Sequence, residues 1–533
     1  MLRQERRLFS LSTGIGLLVI SLFCAGCNPA ENRYPGYLTL RLSANPTTLD
    51  PALITDVTGG SIAAKIFNGL VRFNESLEIV PDLASAWSLA PDQRTYTFHL
   101  KRNIHFSNGR ELTAGDVRFS FERVLDRRTR APLTWVLDRI EGATDFMEGR
   151  SKRVSGITVL DTRTLRIRLR SPFAPFLSLL GMTTASVVPS EEVSNSGTEF
   201  GLHPVGTGPF VLKDWQHGQD VVLSARQDYF EGPPPVAGIR YRVIPEDLTA
   251  VMEFETGRID ILSVPASEFR RYTMDPKWKD GVRSAPGINT YYMGMNCGRP
   301  PFNDLRMRQA ATMAVDRQRI LDTVYEKRGI LATGPVPPAL QDHAGNGRMS
   351  SDLYPFDPVR ARKLVREAGW EDKPFSLYIS AEPEILDIVE VIQYYLQKSG
   401  MAARIVQLDW SAFKQAVNRG EAEAFWLSWW ADYPDPENFL YPLFHSSNAG
   451  PAGNRSWFSD KRVDRLIDQA RSTMDSDLRA SLYRKAEGRI RKQAPWVFFW
   501  HRSDIAVLQP WVSGYRIPPI YSIDKGMTAS ISR

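Results

Sequence analysis

Cysteine is scarce: the 533 residues hold three, Cys24, Cys27 and Cys297. That number cannot build a disulfide framework. The seven histidines, His99, His105, His203, His217, His343, His445 and His501, show no H-x-x-x-H or H-x-H pair, so their spacing points to no metal site. No G-x-S-x-G nucleophile elbow occurs. The formal charge of +6 is spread along the chain without a dense basic run, whereas a nucleic-acid binder gathers its charge on one face or arm. No repeat or low-complexity tract is present. Hydrophobic residues at 43% and charged residues at 24% exclude both a disordered chain and a multi-span membrane protein. What remains is a globular chain long enough for two or more packed domains.

Tempting catalytic patterns have plainer explanations. Cys297 lies between Gly294 and Gly298, which reads as a strand end and turn around a buried thiol that packs as a small hydrophobe. Gly206-Thr207-Gly208-Pro209 lacks the Lys-Ser/Thr ending of a phosphate loop, and its proline removes an amide donor. The closest carboxylate pairs, Glu253 with Glu255 and Glu421 with Glu423, read as helix-surface charges. A secreted hydrolase therefore stays an alternative without a motif of its own. No cofactor and no metal is called for.

The strand and helix signals are mixed. Tyr37–Leu42 and Tyr96–Leu100 alternate apolar and polar, as half-buried strands do. Helices are expected at 61–67, at 113–126 behind a Thr113-x-x-Asp116 capping box, and at 248–256. Residues 157–169 form a hairpin. The second block has strands at 290–296, 375–380 and 425–430. Its helices begin at Asp304 and Pro358 and span 385–398, 463–472 and 478–492, the last two capped by Asp460 and Asp477. Two strands, 496–500 and 504–508, finish the chain. This order argues for α/β domains with more than one sheet.

At the N-terminus Arg3, Arg6 and Arg7 precede an apolar stretch, 8–23, too short for a bilayer that needs about 20 residues. Ala25 and Gly26 then precede Cys27, the order of an export signal. This segment resembles the lipobox of bacterial lipoproteins, with Cys24 where a Leu is usual. The resemblance implies cleavage after residue 26 and a lipid anchor on Cys27. With Cys24 removed and Cys27 acylated, Cys297 has no disulfide partner.

Several ordered motifs carry a wider resemblance. They are Leu49-Asp50-Pro51, Phe67-Asn68-Gly69-Leu70, Ala86-Trp87, Thr95–Lys101, Phe106–Gly109, Leu112–Val117, Gly206–Phe210, Gly257–Asp260, Pro300–Asp304 and Asp432–Leu440. Together the chain resembles the family-5 extracellular solute-binding proteins, the oligopeptide, dipeptide and nickel binders of ABC importers. The resemblance implies a two-lobed periplasmic-binding-protein fold, α/β, type II and cluster C, with an extra subdomain inserted in the first lobe. Its segments are a signal at 1–26, a linker at 27–33, lobe I at 34–75, 200–286 and 500–533, an insert at 76–199, and lobe II at 287–499. It implies a non-catalytic monomer that holds a peptide or peptide-like ligand between lobes and docks on an ABC permease complex. Such a protein works in the periplasm or on the outer face of the cytoplasmic membrane, without nucleic acid. Other solutes, haem, a nickel chelate, an opine or a sugar-like compound, are the alternative ligands.

In peptide-binding relatives the residue matching Asp432 pairs with the ligand's α-ammonium. Trp426, Trp429, Trp430 and Tyr433 are the expected neighbours in the site. Trp426 stands where oligopeptide binders carry an Arg, and Ser380–Glu384 is acidic where dipeptide binders supply one. A short peptide's carboxylate is thus expected to lack a partner, with Arg419 and Lys414 the nearest cations in sequence. Longer peptides, amidated ends or cationic ligands fit that pocket better.

Overall fold

The computed structural model describes residues 34–341 and 351–532. The expected signal, linker and Cys27 anchor lie outside the described residues. Among the described residues twelve strands join one mixed sheet, and a separate four-stranded sheet stands beside it.

The first half of the large sheet is built around Tyr37–Leu42, whose alternation drives it between two parallel partners, Gly238–Val243 and Ile261–Ser263. Asp220–Ala225 and Phe210–Gln216 extend that edge in antiparallel fashion. The second half orders Ala402–Leu408, Pro374–Ser380, Ala424–Trp430 and Asn289–Met295. The first three are parallel, and Asn289–Met295 runs antiparallel to Ala424–Trp430.

Two chain segments join the halves. The sequence suggested two C-terminal strands; the structure has one, Trp496–Leu508. Its beginning pairs with Asn289–Met295 and its end with Val282–Pro286. His501 and Arg502 were read as a gap, but they pair with Ile330 and Gly329, so the ladder never breaks. The second joining segment is Val282–Met295, interrupted at Gly287 and Ile288.

The four-stranded sheet, Ala84–Leu89, Thr95–Leu100, Thr164–Arg168 and Ile157–Asp161, is antiparallel throughout. The expected hairpin supplies its outer pair. Its apolar face packs on Ala114–Leu125, where Val117, Phe121 and Val124 are fully or nearly buried. Thr113 and Asp116 form the expected capping box, which satisfies amides that a helix start leaves bare.

Two helix starts differ from the sequence reading. Val57–Ile66 begins four residues early because Asp56 caps it, accepting from Gly59 N at 2.7 Å; the Gly59-Gly60 pair hid that turn. Ser476–Gln493 is capped by Asp475, which accepts from Leu478 N at 2.8 Å, and Asp477 sits inside its first turn. Both carboxylates suit a helix N-terminus, so composition alone did not separate cap from first turn.

Each side of the second half has its own apolar core. One gathers Met293, Trp426, Val497, Phe499 and Trp500. The other gathers Tyr292, Phe425, Phe439, Phe444 and Trp496, and it also takes in Leu77 and Ile520 from outside that half. Those two residues bring the halves into direct apolar contact.

Candidate functional site

The parallel strands Pro374–Ser380 and Ala424–Trp430 run the same way, the second extending past the first, and open α/β sheets present ligand sites outside such carboxyl ends. Asp432 follows directly. The adjoining loop is stiff: Asp435 N bonds Tyr433 O at 2.9 Å and Asn438 N bonds Asp435 O at 3.0 Å, between Pro434 and Pro436. Helix Glu437–Phe444 then begins.

Asn438, 3% exposed, organises the site. Its Oδ1 accepts from Trp429 Nε1 at 3.1 Å and from Asp432 N at 3.2 Å. Its Nδ2 donates to Asp432 Oδ2 at 3.2 Å. One amide thus fixes the indole, the backbone and the carboxylate together. The sequence reading passed over it, although an Asn six residues past an Asp, across a turn into a helix, has the reach to bracket both.

Asp432 is exposed, yet enough protein surrounds its carboxyl that partial desolvation pushes it upward. The Asn438 bond only partly offsets this. No cation among the described residues pairs with it. Accessible surface inside an enclosed space is what a crevice-lining carboxylate shows. Tyr521 is near, its hydroxyl raised to about 12 by burial and by the charges of Asp432 and Asp56. Tyr521 rests on Gly60, where a Cβ would stand 2.4 Å from its ring; only glycine admits this approach. The crevice wall therefore includes the first half of the molecule.

The second half also touches the four-stranded-sheet region. The Trp135 and Tyr433 rings lie 6.1 Å apart. The Arg471 guanidinium stands 5.2 Å from the Phe173 ring, and Ala174 N bonds Arg471 O at 2.8 Å.

The expected site residues separate into two groups. Asp432, Trp429 and Trp430 come together, with Trp430 39% exposed. Tyr433 does not line the crevice: it is 4% exposed, and its hydroxyl bonds buried Glu437. Trp426 is also core, 3% exposed, 4.9 Å from the Phe499 ring and 5.6 Å from the Trp500 ring. Strand parity puts Trp426 and Trp430 on the same face, but the Phe499 and Trp500 rings cover only the first. Trp430 sits at the strand's end, beyond that cover.

The cation question also resolves differently. Arg419 is exposed beside Glu421 at 3.8 Å. Lys414 lies over Trp410 at 5.1 Å, and burial with nearby Arg455 lowers its ammonium to about 8. Glu384 in the acidic segment is matched by Arg328 at 2.7 Å. The cation at the crevice is Arg502, 4.7 Å from the Trp430 ring. Its placement follows from Asn289, the ladder partner of Trp430. Asn289 Oδ1 accepts from Arg502 N at 2.7 Å and Asn289 Nδ2 donates to Arg502 O at 3.0 Å. No sequence pattern signals this contact, because it spans the ladder between distant segments.

Cys297 is a free thiol, donating to Met295 O at 3.5 Å. Burial pushes it to about 11, the opposite of a nucleophile. A thiol reagent at neutral pH is expected to label the folded protein at least tenfold more slowly than the denatured chain. Equal rates would show that the thiol is open. Among the described residues no cluster of three metal-ligating side chains occurs and no helix is long and apolar enough to cross a membrane.

Residues 78–451 match the description "Bacterial extracellular solute-binding proteins, family 5 Middle". The chain is 30% identical to heme-binding protein A of Haemophilus influenzae, covering 88% of each chain. It is 28% identical to the dipeptide-binding protein of Escherichia coli, covering 95% of this chain and 96% of that one. The ABC transporter-associated periplasmic binding protein DppA from Helicobacter pylori, solved in complex with the peptide STSA, superposes with a TM-score of 0.76. It is 26% identical, over 94% of this chain and 99% of that one.

Proposed function

The chain belongs to the bacterial extracellular solute-binding proteins of family 5, and from that premise we propose that it captures peptides and delivers them to an ABC permease. The observation that carries this reading is the Asp432 carboxylate just past the end of its strand, with no cation among the described residues paired to it and with desolvation raising it. A carboxylate there is costly without a partner, and a ligand ammonium supplies charge-assisted bonds. Trp430 and Trp429 are its apolar neighbours. A peptide backbone lying along the strand ends gains affinity from main-chain bonds without reading side chains.

Residues 34–75, 200–286 and 500–533 act as one lobe, 287–499 as the other, and 76–199 as an insert. Closure is a hinge motion about the two joining segments, favoured because ligand contacts span both lobes. The protein acts as a monomer and does not alter its ligand. Calorimetry with a short peptide library, followed by mass analysis of the released ligand, tests this: binding with intact recovery is expected, and fragments would show a hydrolase. Similarity to a haem-binding protein motivates a second reading, haem as ligand. A Soret-band titration with a saturable one-to-one endpoint, beside no response to peptides, would favour it.

We further propose that Cys27 carries a lipid anchor on the outer face of the cytoplasmic membrane. Cys27→Ser should leave the membrane pellet for the soluble fraction. A variant that stays in the pellet with its signal uncut would rule out lipidation as the anchor.

A further inference from the structure

Two cations meet on one face of helix Trp410–Asn418 without a counter-charge. The helix starts behind its Asp409 cap, straight after strand Ala402–Leu408. That strand runs parallel to Pro374–Ser380, itself parallel to Ala424–Trp430, so Trp410 stands at the same end of the sheet as Asp432. Phe413 and Val417 bury one stripe of the helix in the core that holds Tyr292 and Phe425. Trp410, Lys414 and Asn418 form another stripe, because residues four apart are neighbours on a helix, with Cβ atoms about 5–6 Å apart.

Trp410 is 53% exposed, and the Lys414 ammonium stands 5.1 Å from its ring. One turn on, Asn418 Oδ1 accepts from Arg455 Nε at 2.9 Å. Arg455 is 8% exposed. Among the described residues its side chain otherwise bonds the Gly453 carbonyl alone, at 3.5 Å. The acids nearby are engaged elsewhere. Asp409 caps the helix from Ser411 N and Ala412 N, Glu421 lies beside Arg419, and Glu423 accepts from Ser376 N at 3.0 Å. The Lys414 ammonium is lowered by burial and by the Arg455 charge, the mark of two like charges held together. The Tyr292 hydroxyl, which the Arg455 charge also reaches, is buried with no hydrogen-bond partner. A buried guanidinium without an anion is costly, and its five N–H donors exceed what Asn418 and Gly453 accept.

We propose that Lys414 and Arg455 form an oxyanion site, with a carboxylate or phosphate group as its occupant. The group lies along the stripe between Lys414 and Asn418 and takes charge-assisted bonds from the ammonium and the guanidinium. An acidic side chain of a bound peptide and a free anion offer the same chemistry; the first source rests on the peptide reading above.

Calorimetry with inorganic phosphate, and with a tripeptide carrying a central glutamate beside its glutamine counterpart, separates the sources. Saturable phosphate binding is expected, weakened at least tenfold in Lys414→Met. The glutamate peptide should bind at least tenfold more tightly than the glutamine peptide, which is about 1.4 kcal/mol, and Lys414→Met should erase that difference, with its melting temperature as a control for folding. The wild-type peptide comparison needs no variant. Phosphate binding lost in Lys414→Met, with equal affinity for the two peptides, would keep the site and name a free anion as its occupant. Equal affinity for the two peptides, with phosphate binding absent or insensitive to Lys414→Met, would overturn the site and leave the peptide reading intact. Phosphate binding lost in Lys414→Met, with neither peptide bound, would support the site and overturn the peptide reading. Binding of none of the three would overturn both.

Discussion

Asp432→Ala is expected to weaken peptide binding by about 2–5 kcal/mol, the range for truncating one member of an enclosed charge pair. The cause lies in what surrounds the carboxylate. Asn438 contributes one neutral bond, and burial holds the acid above its ordinary range. The free protein therefore has little local charge to spare, and the incoming ammonium becomes its main partner. The pH dependence has a defined sign. A carboxyl raised in the free protein begins to take up protons above the ordinary Asp range, and the protonated form offers no charge to an ammonium. Affinity should fall as pH drops through that raised value, and Asp432→Ala should flatten this part of the profile. Calorimetry across pH checks both. Unchanged affinity with the fold intact would remove Asp432 from the site.

Arg479→Met should destabilise the protein by about 3–5 kcal/mol, as expected when one partner of a buried ion pair is removed. Arg479 Nη2 lies 2.6 Å from each oxygen of Asp435, whose side chain is 5% exposed. Burial disfavours the guanidinium's charge, but Asp435 outweighs that effect and raises it. Asp435 also accepts from Glu437 N at 2.8 Å, so the pair fixes the loop that begins at Asp432. The single variant strands a carboxylate among buried neighbours. Adding Asp435→Asn should restore part of the stability, since a neutral amide is less costly to leave unpaired. Denaturant midpoints of the two variants check this. A loss under about 1 kcal/mol for Arg479→Met would show that the pair is not load-sharing in the folded state.

The legible parts of this molecule were local. Tyr37–Leu42 and the 157–169 hairpin announce themselves by alternation, and Thr113 with Asp116 by capping chemistry, because each depends on neighbours within a few residues. The turn that follows Asp432 was legible through its prolines, Pro434 and Pro436. Trp426 and Tyr433 were misplaced because burial depends on what covers a strand or loop, and the covering residues, Phe499 and Trp500 for one and Glu437 and Trp135 for the other, belong to other packed elements. Arg502 could not be found from spacing. Its position relative to Trp430 is set by Asn289 across the sheet, a contact between segments roughly seventy and more than two hundred residues apart. The single strand 496–508 was split in the reading because His501 and Arg502 interrupt its apolar run. His501 is buried there with its Nδ1 2.7 Å from Asn289 O, and burial lowers it to about 4, so it packs as a neutral residue inside the strand.

The central claim is that a peptide occupies the crevice beside Asp432 and leaves it unchanged. Native mass spectrometry of protein purified from its own host tests this most directly. The account predicts a one-to-one adduct whose released mass and fragmentation are those of an intact peptide. An adduct of haem or sugar mass, or a cleaved peptide released in place of an intact one, would contradict it.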